Sequence, residues 1–170
     1  IAYSDELRPD PADTTINRMW LYGAAQAAVG VGPDMHEEFI LKYDKKLLDN
    51  AGLVSYGCCE PYHGKFDMLK RNLSKLRRIS VSPWCDDEQA AAELGRDYIY
   101  SLKPNPALVA DFDEARVRAD IRKRLEASKG CNVEVILKDT FTIERDPGRV
   151  TRWTEIVNEA CVESETTLGD

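Results

Sequence analysis

No glycine-rich phosphate loop, of either the GxGxxG or the P-loop kind, follows any apolar run in this 170-residue chain. A nucleotide-binding fold would therefore lack its usual fingerprint. No apolar run is long enough to span a bilayer, and no secretory leader pattern opens the chain, so neither a membrane helix nor membrane attachment is expected. Basic residues form no stripe interleaved with aromatics, the formal net charge is −7 and the pI is near 5.0; a nucleic-acid partner is not expected. Histidine is scarce, with only His36 and His63. The five cysteines (Cys58, Cys59, Cys85, Cys131, Cys161) are odd in number and dispersed, without paired zinc-finger spacing. A reduced, cytoplasmic setting suits them better than a disulfide framework. An initiator methionine is also lacking: the chain opens IAYSDELRPDP, and the expectation is a piece of something longer.

What is present suffices for one domain over residues 1–170, since 43% of the residues are hydrophobic. Residues 1–15, with Pro9, Pro11 and several aspartates, read as irregular. The Ala-rich segment from Thr15 to Val29 predicts a buried helix. A second helix begins at Pro33, a residue suited to a first helical turn. Along it Met35, Phe39, Ile40, Tyr43, Leu47 and Leu48 recur at helical spacing, up to a stop at 50–52.

The text then alternates. Strands are expected at 53–57, 76–82, 97–102 and 132–139, and helices at 64–72, 86–95, 113–130 and 147–164. Asp113 and Asp146 are placed as N-caps. Four consecutive βα units, preceded by two helices, predict an α/β fold with a parallel sheet and right-handed crossovers. A full (β/α)8 barrel takes about 250 residues, so the expectation is half of one, with an open doubly wound sheet as the rival.

In either architecture the ligand site lies at the carboxyl ends of the strands. Those ends read YGCCEPYH, SVSPWCDD, YSLKPNP and LKDTFT. Alternation along a strand points Ile79 and Val81 toward the helices and Ser80 and Ser82 inward. Val133, Val135 and Leu137 likewise point outward, and Glu134, Ile136 and Lys138 inward. Tyr56, Cys58 and Glu60 share one parity; Cys58 and Glu60 are placed inward, and Cys59 packs as a small apolar group. Cys58 as a metal thiolate needs partners, and Glu60, His63 and Cys85 are the nearest candidates, against simple burial of Cys58 and Cys59 as small thiols. Lys103 and Lys138 make a cationic floor for carboxylate or phosphate, unless Lys138 pairs with Glu60, Glu134 or Asp139. The prolines around Asn105 stiffen its loop. Trp84, directly after a strand end, is placed as a pocket wall with Ser82. His36 is read as structural, and the charge-rich helix 113–130 as a solvated face.

The runs PDMHEEFILKYDKKLLDNAGL, YGCCEPYH, LRRISVSPW, YSLKPNPALVA and ILKDTFTIERDPGRVTRW resemble the C-terminal half of uroporphyrinogen-decarboxylase-like proteins, within a bacterial branch carrying a YGCCEP motif. The resemblance covers about residues 20–160. It implies a TIM-type barrel, with this chain supplying the last four βα units. The superfamily holds metal-free tetrapyrrole decarboxylases and methyltransferases that pass a methyl group between a corrinoid and a thiol over a zinc ion. That zinc is bound by a His-x-Cys pair and a Cys near the last strand. Cys58 matches the Cys of the pair, but Tyr56 stands where the His would be, and LKDTFT has no Cys.

The resemblance implies a methyltransferase half with Cys58, Cys59, Glu60 and His63 as its metal set. Glu60, His63 and Lys138 would be catalytic, and Tyr56, Ser82, Trp84, Lys103 and Asn105 would bind substrate. A small molecule or corrinoid protein would be the partner. The alternatives are a metal-free decarboxylase or lyase with a lysine-lined pocket, and a non-catalytic half-barrel that binds a ligand or partner chain. A half-barrel exposes two sheet edges, so a dimer or association with an N-terminal half is expected.

Overall fold

The computed structural model describes residues 15–166; the irregular segment expected before residue 15 lies almost wholly outside the described residues. Five strands form one all-parallel sheet, with neighbours in chain order: β1 (Trp20–Gly23), β2 (Leu53–Tyr56), β3 (Leu76–Val81), β4 (Ile99–Leu102) and β5 (Asn132–Val135). The helices are α1 (Pro33–His36, Glu37–Leu41 and Lys42–Leu48 in one run), α2 (Phe66–Asn72), α3 (Asp87–Leu94), α4 (Ala107–Ala110), α5 (Glu114–Ala127) and α6 (Gly148–Thr166). The middle section of α1 is a π-helical turn. No helix among the described residues is long and apolar enough to cross a membrane.

The expected helix over 15–29 is corrected. Trp20–Gly23 is a strand, in parallel register with Leu53–Tyr56, flanked by single helical turns at Ile16–Arg18 and Gln26–Ala28. Strand pairing there outweighs the alanine-rich helix preference of the segment, as tertiary context often does. Gly23 permits it. A Cβ there would lie 2.5 Å from Cδ2 of the Tyr56 ring, so only glycine lets β1 lie this close. The sheet therefore gains a strand ahead of the expected four, and α1 follows a strand rather than another helix.

The order never reverses, unlike that of a doubly wound sheet, which turns back at a switch point. It is compatible with part of an α/β barrel, and side-chain contacts on one face agree. The Arg78 guanidinium lies 4.9 Å from the centre of the Trp20 ring, and its Nε lies 2.8 Å from Glu134 Oε1. These residues come from β1, β3 and β5. Alternate strands lie about 9.5 Å apart, a gap these long side chains span, and residues of alternate strands share one layer as they do inside a barrel.

The opposite face carries the main core. Leu41, Leu48, Val54, Phe66, Ile79 and Val81 are buried between sheet and helices, which bears out the outward placement of Ile79 and Val81. A second cluster joins α5 to α6 through Val117, Ile121, Trp153 and Ile156. Arginine–glutamate pairs cross the outer side of the same helices, such as Arg122–Glu163 at 2.7 Å and Arg152–Glu114 at 2.8 Å. The Asp113 carboxylate accepts from the Arg116 N–H at 3.0 Å and Asp146 from the Gly148 N–H at 2.9 Å, as N-caps do.

On α1 the apolar stripe faces away from the core. Met35, Phe39, Tyr43 and Leu47 are each more than half exposed, while His36, Leu41 and Leu48 are buried.

Candidate functional site

At the end of β2 the chain turns through Gly57, whose φ of +101° favours glycine. A Cβ there would meet the Tyr62 ring at 2.8 Å and Ser80 Cβ at 3.0 Å. The Gly57 carbonyl accepts two hydrogen bonds, from the Tyr22 hydroxyl on β1 and from Ser80 Oγ on β3 at 2.9 Å. Three strand ends are thereby tied together, and the next two residues, Cys58 and Cys59, emerge over the mouth.

Their sulfurs lie 3.3 Å apart. Cys58 Sγ is 3.5 Å from Gln26 Oε1, and the Cys59 thiol donates to Asp139 Oδ2 at 2.6 Å. Asp139 follows β5 and also pairs with the nearly buried Lys138 ammonium at 3.2 Å. It adopts φ +42°, a left-handed conformation uncommon outside glycine and concentrated at functional sites. The contact joins the loops that follow β2 and β5, two strands that are not neighbours in the sheet.

The charges are coupled. Burial, followed by the hydrogen bond to Asp139, pushes the Cys59 thiol up to about 11, with Lys138 pulling the other way; the thiol is protonated at neutral pH. That thiol's hydrogen bond, together with Lys138, holds Asp139 below the usual carboxylate range. Burial opposes the charge on Lys138, but Cys59 and Asp139 outweigh it and raise its pKa. Burial, then Cys58, raises the Tyr22 phenol.

The other expected site residues divide. Glu60 is buried; the Tyr62 hydroxyl donates to its Oε1, and its Oε2 has no hydrogen-bond partner among the described residues. His63 Nδ1 accepts from the Asp86 backbone N–H at 3.3 Å, a loop-fastening role. Tyr56 does not line the mouth: its hydroxyl donates to Asp44 Oδ2 at 2.8 Å and lies 3.1 Å from His36 Nε2, on the α1 side of the sheet. Ser82 is buried, and its Oγ accepts from the Trp84 N–H at 3.3 Å. Trp84 is 61% exposed.

Asn105 Oδ1 accepts from the Ala107 N–H at 3.0 Å and starts α4. A cleft of about 280 Å³ lies beside it, bordered by Asp139 and Phe141. Lys103 is half-buried and contributes to the attraction felt by Asp139. Cys58, Cys59 and Lys138 thus converge, whereas Glu60 and His63 are engaged elsewhere.

A second polar group lies below the mouth. Lys65 is buried, donates to the Ala28 carbonyl at 3.0 Å and lies 3.5 Å from His36 Nδ1. Burial lowers both the Lys65 and the His36 pKa. Sequence reasoning missed Lys65 and Gln26, which carry no motif, and Tyr62, which lies inside YGCCEPYH but was given no role. Asp139 was legible only as a counter-ion for Lys138.

Among the described residues no group of three or more His, Cys, Asp or Glu side chains is arranged to hold a metal ion. Compared with known proteins, the chain matches no family model and no curated protein.

Proposed function

We propose that this chain is part of a uroporphyrinogen-decarboxylase-like (β/α)8 barrel that transfers a methyl group to or through a thiol, with a corrinoid-bound methyl donor. The observation that carries this reading is the Cys59 thiol donating to Asp139 at 2.6 Å beside Lys138, at the strand ends where barrel enzymes do their chemistry. Sulfur accepts a methyl group as thiolate. As Cys59, or a substrate thiol bound in its place, bonds the methyl carbon, the methyl–corrinoid bond would break with its electron pair left on the departing corrinoid, and the thiol proton would pass by way of Asp139 to solvent. Lys138 then balances the charge, and Lys103 binds an anionic part of the donor or acceptor.

The expected zinc does not fit the four residues proposed for it, since Glu60 and His63 are turned to Tyr62 and Asp86. No step here runs through a metal. The lysine-lined decarboxylase reading is weakened because Lys138 is already neutralised by Asp139.

The barrel part of the proposal is supported by the unreversed strand order and by the Trp20–Arg78–Glu134 layer. It is supported also by β1 and β5, which stand at the two edges of the sheet, and by the exposed stripe on α1. The remaining strands, or a second copy, would cover them.

The test is incubation with methylcobalamin and a small thiol, followed by mass spectrometry of the thioether and of the Cys58–Cys59 peptide. Methylation lost in Cys59→Ser and slowed in Asp139→Asn supports the reading; equal methylation in all variants refutes it. Light scattering on the same sample checks the barrel: a well-behaved monomer counts against an incomplete one.

A further inference from the structure

We propose that Cys58 and Cys59 form a chelating dithiol for a trivalent, pyramidal, thiophilic centre, of which an organic arsenical is the simplest member. The spacing of the sulfurs selects the class. With metal–sulfur bonds of about 2.3 Å, a tetrahedral centre such as zinc needs its sulfurs roughly 3.8 Å apart. The observed 3.3 Å corresponds, at the same bond length, to an S–M–S angle of roughly 92°. Near-right angles belong to trivalent arsenic and antimony, which bond through nearly pure p orbitals and keep a lone pair. Such a centre takes two thiolates from the protein and carries its third substituent with it. That no group of three or more His, Cys, Asp or Glu side chains is arranged to hold a metal ion among the described residues is no obstacle here.

Both thiols are half-buried rather than sealed, and each is oriented by a partner from another strand end, Gln26 after β1 and Asp139 after β5. The pair is thus held in its chelating separation before any ligand arrives, and preorganisation of that kind strengthens binding. With phenylarsine oxide the step balances simply. Two As–S bonds form, the As–O linkage breaks, and both thiol protons leave with the oxygen as one water; nothing is oxidised or reduced. The dithiol assignment stands independently of methyl transfer, because it uses only the two sulfurs and their separation.

The experiment is titration of the reduced full chain with phenylarsine oxide, read by intact mass and by the count of remaining thiols. The expected result is one arsenical per chain with two of the five thiols consumed, resistant to excess monothiol and reversed by a dithiol. Cys58→Ser and Cys59→Ser each lose this resistant adduct, and Cys85→Ser keeps it. The native chain should also bind at least tenfold more tightly than the free peptide GLVSYGCCEPYHG, a comparison that holds even where a variant fails to fold. An adduct no tighter than the peptide's, one surviving in both single variants, or one mapped to Cys85, Cys131 or Cys161 overturns the proposal.

Discussion

Gly23→Ala separates the two accounts of residues 15–29 by sign. In a helix interior the change would stabilise the protein by about 1 kcal/mol, the intrinsic preference of alanine over glycine. In the strand, the new methyl group would lie 2.5 Å from Tyr56 Cδ2, 2.6 Å from Cε2 and 3.0 Å from Leu48 Cδ1. Relief requires the ring to move by roughly 1 Å, the shortfall from ordinary carbon contact. Tyr56 is fully buried and held at its far end by Asp44 and His36, so movement strains those bonds. Overpacking costs about 1–3 kcal/mol, and weakening a hydrogen bond to a charged acceptor costs about 1.5–3 kcal/mol. A loss of about 3 kcal/mol is expected, or a fall of roughly 6–12 °C in Tm for a chain of this size. Thermal and urea denaturation would measure it, with Gly23→Ala/Tyr56→Leu as the relieving double variant. A neutral or stabilised Gly23→Ala would refute both the strand and the contact.

Arg124 is buried on α5 and bonds Asp87 at 3.0 Å, Asp120 at 3.2 Å and the Pro83 carbonyl at 3.3 Å. Arg124→Met leaves the half-buried Asp87 carboxylate with the Tyr100 hydroxyl but without its cation and should cost about 2–3 kcal/mol; adding Asp87→Asn should recover part of it in the urea midpoint. Burial, then Lys65, holds the His36 pKa below the ordinary imidazole value. Its folded pKa is depressed, so its contribution to stability is complete above about pH 6.5 and is lost as pH falls through the folded value. Urea denaturation at pH 7.5, 6 and 5 should show declining stability with a shallower decline in His36→Gln; parallel slopes would refute the assignment.

Much of the fold was legible in the sequence. The later strands and helices announce themselves by apolar runs broken at caps, and Asp113 and Asp146 cap where their positions suggest. The Trp20–Gly23 strand did not, because alanines follow it directly and read with it as one apolar helical segment. The stripe on α1 was legible as a period but not as a direction: periodicity marks a face without saying what covers it, and here the buried side includes a histidine. At the site, Cys58 and Lys138 were singled out from their strand-end positions, whereas Cys59, expected from strand parity to pack as a small apolar group, donates to Asp139 instead. The bond from Cys59 to Asp139 was not legible, because the two residues are 80 positions apart and follow strands that are not neighbours in the sheet.

The wide turn in α1 reaches beyond its own five residues. His36 and Asp44 both touch the Tyr56 hydroxyl, yet eight residues of uniform α-helix would set them about 80° apart around the axis. The π turn at Glu37–Leu41 lies between them and takes up that rotation, as a single inserted residue does in a π-bulge. Straightening that turn into uniform α-helix without removing a residue would act like a rotary dial, turning the first part of the helix by about 100° against the second. His36 would leave its partners, and Met35 would leave the line it shares with Phe39, Tyr43 and Leu47. The winding of this one turn thus decides which residues form the outer skin of the molecule, with no change in the sequence that composes it.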